Sequence, residues 1–243
     1  MINQKNALFN ILYASHGSAY LSQRVRPKLW EPYYLIHRMI KNVVSLYLNS
    51  SRTKISILDI GGGECPFKEL VTEGQNYCEV GSIVDLEQLW HKEEHDIVLC
   101  LDVMEHIFNI NKFKDQLASS VKNGGTLILS VPFAYPIHGW DYNDYWRFTD
   151  QALVKFFPGF SVSTLKKSNT FLSTPLLKLN HLIHLVPIPY VVKRFIYLPI
   201  NLISLFIDAC AARLVPEGTV YRKMLYSDPL EYILVLKKDQ YDK

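Results

Sequence analysis

With 243 residues, 49% of them hydrophobic and 20% charged, the chain has the length and apolar content of one well-filled α/β domain, not of a disordered segment. A net charge of +3, scattered over pairs such as Lys166-Lys167, Lys193-Arg194 and Arg222-Lys223, excludes a dense basic footprint, and no nucleic-acid partner is expected. The four cysteines, Cys65, Cys78, Cys100 and Cys210, show neither zinc-site pairing nor a disulfide framework, which suits reduced thiols in a cytoplasmic protein.

In chain order, Met1–Lys5 is polar and Asn10 interrupts the apolar stretch after it, so a cleaved signal peptide is not expected. Leu29–Leu48 reads as a helix with Leu35, Met39, Val43 and Leu46 on one face. Ile55–Ile60 is a short β-branched strand that runs into glycines, and Pro66 suits the first turn of a helix over Phe67–Thr72. Strands follow at Gln75–Val80, Ile83–Leu89 and Asp96–Leu101. The helix Asn111–Val121 is stopped by Asn123-Gly124-Gly125 before the strand Thr126–Val131. Asp150–Phe157 reads as a helix and Phe160–Leu165 as a strand. The last strand, Glu231–Lys237, alternates Tyr232, Leu234 and Leu236 as an antiparallel partner would. This rhythm predicts a doubly wound α/β domain with a mostly parallel seven-stranded sheet and helices on both faces. Residues 1–54 form an N-terminal helical segment, 55–166 the binding core, 167–225 a helical insertion, and 226–243 the last strand and tail.

The turn Leu58-Asp59-Ile60-Gly61-Gly62-Gly63 stands at the carboxyl edge of the sheet, where open α/β sheets bind ligands. Gly61 and Gly63 fit the first two positions of a dinucleotide loop, but Pro66 stands where its third glycine belongs. That departure, with Asp59 inside the strand end, speaks against a nicotinamide cofactor.

Three segments together carry a resemblance: Ile57–Gly63, His95–Ile107 and Asn123–Phe133. They resemble, in order and near the right spacing, the signatures of class I S-adenosylmethionine-dependent methyltransferases, over Ile55 to about Phe160. The resemblance implies a Rossmann-like sheet and S-adenosylmethionine as cofactor. Asp59, Gly61 and Gly63 would line it, Glu79 or Asp85 would take the ribose hydroxyls, and Asp102 and His106 would stand on its reacting side. Glu105 is expected to fix a backbone amide, and Cys65 to be a small residue beside the ligand. No metal is expected, because Glu105-His106 supplies too few ligands.

Tyr135–Thr149 is dense in His, Asp, Tyr, Trp and Arg, as a site-building loop would be. It resembles a segment of a bacterial methyltransferase subgroup linked to cell-surface polysaccharide biosynthesis. His138 is the expected base for the acceptor proton in an O-methylation. Tyr145, Trp146 and Arg147 either bind the acceptor or form an aromatic mini-core with an internal Asp144–Arg147 pair. The acceptor class is a small molecule, a sugar or a lipid-linked glycan. The alternative is a catalytically inactive methyltransferase-like module that binds a membrane surface or a partner protein.

Phe195–Ala212 is the most apolar stretch, yet Pro199, Asn201 and Asp208 interrupt it. A carboxylate at a helix centre costs roughly 2.5–3.5 kcal/mol on insertion, so spanning is not expected. Asn201, Ser204 and Asp208 share one stripe, and the apolar remainder is buried in the fold, in a homodimer or on a membrane surface.

Overall fold

The computed structural model describes residues 23–50, 54–61, 66–80, 94–138 and 143–240. Its elements are α1 (Tyr34–Ser50), β1 (Ser56–Ile60), a 3₁₀ turn (Pro66–Leu70), β2 (Asn76–Val80), β3 (His95–Leu101), a second 3₁₀ turn (Met104–His106), α2 (Ile110–Ser119), β4 (Val121–Pro132), α3 (Asp150–Phe156), β5 (Phe160–Lys167), α4 (Thr174–Leu185), α5 (Tyr190–Leu214), α6 (Val220–Leu225) and β6 (Glu231–Lys238). Among the described residues the sheet has six strands in the order β2-β1-β3-β4-β6-β5. The expected strand at Ile83–Leu89 lies outside them.

Strands β1 to β4 pair in parallel, and β6 runs antiparallel between β4 and β5. The central strands are apolar on both sides because both faces are covered. Leu58, Val98 and Leu129 pack with Phe113 and Leu117 of α2 and Leu153 of α3. On the other face, Ile57, Leu99, Ile128 and Val235 pack with Ile36, Ile40 and Val44 of α1. The chain leaves β1 toward β2 and returns to β3 on the other side. That reversal opens a crevice at the carboxyl ends of β1 and β3.

Three local expectations are corrected. On α1 Leu35, Met39 and Val43 are buried as expected, together with Ile36, Ile40 and Val44, but Leu46 is exposed. The segment after Pro66 closes as a 3₁₀ turn instead of an α-helix. Helix α2 ends at Ser119, before Asn123-Gly124-Gly125, and those residues lie inside β4. There Gly124 has φ 71°, and a Cβ on Gly125 would meet the Lys122 carbonyl at 2.8 Å. The glycines serve the bend at the start of the strand, not the end of the helix.

Helices α4, α5 and α6 join β5 to β6, and α5 is turned inside out. Asn201 and Ser204 are fully buried. The Asn201 amide donates to the Leu29 and Glu31 carbonyls at 2.8 and 2.7 Å and accepts from Asn180 at 3.0 Å. Asp208 accepts from the Thr170 amide at 3.1 Å and the Ser173 hydroxyl at 2.8 Å. Hydrogen bonds make the inward turn of Asn201 and Asp208 tolerable. The opposite face, with Phe195 75% and Phe206 69% exposed, points outward.

Candidate active site

The carboxyl edge is assembled strand by strand. β1 delivers Asp59, paired in register with Glu79 of β2, and then Gly61 at φ 70°. Asp59 is buried, and the Tyr77 hydroxyl donates to it. Burial pushes its carboxyl up to about 6, against the pull of that hydrogen bond. Glu79 is exposed at the same edge. Gly63, Asp85 and Cys65 lie outside the described residues.

β3 delivers Asp102, whose φ of 58° is the one positive value among described non-glycine residues. Such backbone strain collects at functional sites. Asp102 was expected at the cofactor. It does face the crevice, but both its oxygens are engaged, one by the Ser130 hydroxyl at 2.6 Å and the other by the Arg24 guanidinium. Burial acts to raise its carboxyl, and Arg24 with Ser130 outweighs burial, so it lies below the ordinary range.

The 3₁₀ turn after β3 places Glu105 and His106 in the interior. The turn is held by the Glu105 backbone carbonyl, which accepts from the amides of Tyr145 at 2.7 Å and Trp146 at 3.3 Å. The Glu105 side chain does not have the expected role of fixing an amide. Both its carboxylate oxygens are buried without a hydrogen-bond partner among the described residues. They face a cavity of about 80 Å³ lined also by Arg24, Asp102, His106, His138 and Glu231. Burial pushes Glu105 up to about 7, although His138 beside it pulls the other way.

His138 reaches the same cavity from the loop after β4. Its Nδ1 lies 3.1 Å from Asp144 Oδ2 and 3.3 Å from the Pro136 carbonyl, and its Nε2 lies 3.6 Å from Glu105 Oε1. His106 Nε2 is 3.5 Å from the same oxygen, and His106 Nδ1 is 2.6 Å from the Asn143 carbonyl. For His138, burial acts to lower the pKa, while Glu105 and then Asp144 outweigh it and leave it raised. The expected ligand count at Glu105-His106 is therefore corrected. The fold brings His138, 32 positions on, to make a group of three whose ligand atoms lie within 4.8 Å of one another.

The other described residues of the loop are engaged within the protein. Arg147 grips Asp144 through both terminal nitrogens and also reaches the Tyr135, Pro136 and Trp146 carbonyls. Its donors are used, which corrects its assignment to the acceptor. The Trp146 indole donates to the Ile107 carbonyl at 2.9 Å and stacks on Phe148, while Tyr145 meets Phe108 edge-on. Of the two alternatives for this trio, these contacts make the mini-core and the internal ion pair. Both aromatic residues keep an exposed side, Tyr145 at 42% and Trp146 at 37%.

Sequence reading missed Arg24, His37 and Glu231. Burial drives His37 down to about 3, with Arg24 adding to it, so it is a neutral imidazole. The available signals were weak: a histidine on the apolar face of α1, and an acid just before an apolar strand. Among the described lining residues two buried carboxyls, Glu105 and Glu231, and the half-buried Asp102 stand around one guanidinium, Arg24. Burial pushes both glutamates toward the neutral acid, and Asp102 is paired with Arg24. A larger hollow of about 480 Å³ opens at the amino edge of the sheet, beside Asp96, Lys122 and Gly124. Its acid is already held by Lys122 and by the Ser56 amide, each within 2.9 Å, and it lies away from the switch point.

Comparison with known proteins gives the family. The sequence profile of the methyltransferase domain family matches residues 32–169, from the start of α1 past the end of β5. No curated protein sequence matches the chain. Among solved structures, the [4+2]-cyclase SpnF is 9% identical at TM-score 0.47, covering 86% of this chain and 83% of its own. Coclaurine N-methyltransferase, solved with N-methylheliamine and S-adenosylhomocysteine, is 12% identical at TM-score 0.45, covering 81% and 70%. Burkholderia thailandensis 1,6-didemethyltoxoflavin-N1-methyltransferase, with S-adenosylhomocysteine, is 10% identical at TM-score 0.43, covering 82% and 77%. Likeness at this level carries no assignment of activity, as a cyclase among the neighbours illustrates. The family profile does, because it spans more than half the chain and includes β1, the Glu105–His106 turn and the His138 loop. The chain belongs to the methyltransferase domain family.

Proposed function

We propose that the chain transfers a methyl group from S-adenosylmethionine to a hydroxyl of a small-molecule or glycan acceptor carried at a membrane surface. The observation that carries this is His138, held by Asp144 at the mouth of the acid-rich crevice beside the β1 turn. The donor supplies a methyl group already activated by a sulfonium. Around it, Gly61 lets the backbone approach closely, and Glu79 offers two acceptors to a ribose diol. Gly63 and Asp85 are assigned from sequence alone. The protein then has two tasks: to align the acceptor oxygen with the methyl carbon, and to receive the acceptor proton. His138 does the second, with Asp144 orienting the ring. The O–H and S–CH₃ bonds break, O–CH₃ forms, sulfur keeps the S–C electron pair, and one proton leaves. Incubation with donor labelled in the methyl group, against soluble sugars and lipid-linked glycans, is the test. The label is expected in a methyl ether released as a methylated sugar. Label appearing solely on amines contradicts the oxygen acceptor, and no transfer to any acceptor favours the inactive binding module.

The membrane part is supported by the inverted face of α5. Leu182 on α4 and Val220, Tyr221 and Met224 on α6 extend the exposed apolar surface. Residues 171–226 hold six Lys and Arg against two acids, Asp208 and Glu217, a net of +4 in a chain whose total is +3. Apolar surface with an excess of cations fits the plane of an anionic bilayer. α5 has 25 residues and the apolarity to cross a membrane, but crossing would strip Asn201, Ser204 and Asp208 of their buried places. The protein is expected to float with anionic liposomes, and the double variant Phe195→Asp with Phe206→Asp is expected to stay in the soluble fraction. A stable dimer that ignores liposomes contradicts this and assigns the face to a second copy.

A further inference from the structure

We infer that Glu105, His106 and His138 form a divalent-cation site of the two-histidine, one-carboxylate kind, beside the acceptor position. The first support is the direction of the lone pairs. His106 Nδ1 faces a backbone carbonyl, which can accept and not donate, so that nitrogen carries the ring proton. His138 Nδ1 faces the Asp144 carboxylate and the Pro136 carbonyl, both acceptors, so it too is the protonated nitrogen of the neutral ring. Each Nε2, the unprotonated nitrogen of the neutral ring, lies near Glu105 Oε1, at 3.5 and 3.6 Å. Two lone pairs and a carboxylate converging in a buried space call for positive charge at their centre.

The spacing fits an ion as that charge. Two ligand atoms each ~2.1 Å from a tetrahedral ion lie about 3.4 Å apart, close to both distances to Glu105, and the two histidine nitrogens, within 4.8 Å of one another, draw together to share the ion. Both Glu105 oxygens are buried and without hydrogen-bond partners among the described residues. The supporting shell is also present. Histidine ligands commonly give their second nitrogen to a carboxylate or a carbonyl, as His138 does to Asp144 and His106 does to Asn143. Arg147 in turn fixes Asp144. Imidazole and carboxylate donors suit zinc, manganese or cobalt better than magnesium or calcium. Three protein ligands leave a position open toward the cavity, the arrangement of catalytic sites rather than closed structural ones.

The role of this site rests on the methyl-transfer reading above, although the binding of the ion does not. A cation there polarises the acceptor hydroxyl and makes its proton easier to lose. His138 is then a ligand and the acceptor proton passes to solvent water, whereas in the metal-free form of the same cluster His138 itself receives it. The test uses the full chain stripped with a chelator and titrated with Co²⁺, read by calorimetry and by the visible absorption of the bound ion. One Co²⁺ per chain is expected, with an absorption band that Zn²⁺ displaces. Glu105→Gln and His138→Asn are expected to abolish that band, and Asp144→Ala to weaken binding ~10–100-fold, the usual effect of removing a supporting partner. Unchanged thermal midpoints show that the variants are folded. Uptake of no ion by the wild-type protein overturns the inference, as does wild-type binding in both ligand variants. S-adenosylmethionine affinity, measured on the same samples, separates the two proposals. Donor binding without Co²⁺ binding defeats the metal site alone, and Co²⁺ binding without donor binding defeats the methyl-transfer role alone.

Discussion

Replacing His138 with Ala lowers methyl transfer by ~10²–10⁴-fold, the range expected when an acceptor's proton loses its acid–base partner. Affinity for S-adenosylmethionine stays where it was, because His138 enters from the loop after β4 and not from the β1 turn. Little stability is lost. The side chain is 26% exposed, and Asp144, its buried partner, keeps the bidentate grip of Arg147. Asp144 is therefore not left unpaired, and Glu105, which burial already pushes up to about 7, takes its neutral form. Single-turnover rates with saturating donor check the first claim, and calorimetry with S-adenosylhomocysteine checks the second. A loss of rate fully explained by weaker donor binding, or by a lower melting temperature, makes His138 a structural residue.

The second large effect is at the donor. Gly61→Val abolishes binding of S-adenosylmethionine and S-adenosylhomocysteine. Gly61 holds φ 70°, and a β-branched residue in that region carries strain of roughly 1–3 kcal/mol. Its side chain also rises from the turn at the carboxyl edge, where the ligand's backbone contacts are made. Gly61→Ala separates the two causes, since it keeps part of the strain with much less bulk. Val abolishing binding while Ala weakens it mildly points to occupied ligand space. Equal loss in both points to the backbone. Binding by the Val variant at wild-type affinity contradicts the placement of the donor at this turn.

The strands were legible because they are buried on both faces. Ile97–Leu101 is a continuous apolar run, and Ile57–Ile60 and Leu127–Val131 are broken only by Asp59 and Ser130, so they need no partner information to be recognised. The glycine turn was legible for a related reason, since Gly61 meets a backbone requirement local to its own position. The site was less so. Glu105 and His138 are 33 positions apart and meet only through the fold, so an adjacent Glu-His pair looked too poor in ligands for a metal. Arg24 and Asp102, 78 positions apart, left no sequence trace of their pairing. Arg147 looked like an acceptor ligand because composition cannot show that its donors are taken by Asp144 and three carbonyls. The two faces of α5 were visible in the 3.6-residue period, but the period has no sign. Which face turns inward follows from what each meets, and here the Leu29, Glu31 and Thr170 backbone groups draw the polar stripe inside.

Calorimetry of the wild-type protein against S-adenosylmethionine, S-adenosylhomocysteine and NAD(H) tests the assignment of this crevice most directly. One equivalent of S-adenosylmethionine or S-adenosylhomocysteine per chain, with no heat from NAD(H), is the predicted result. Binding of NAD(H) with no response to either S-adenosyl compound would contradict it.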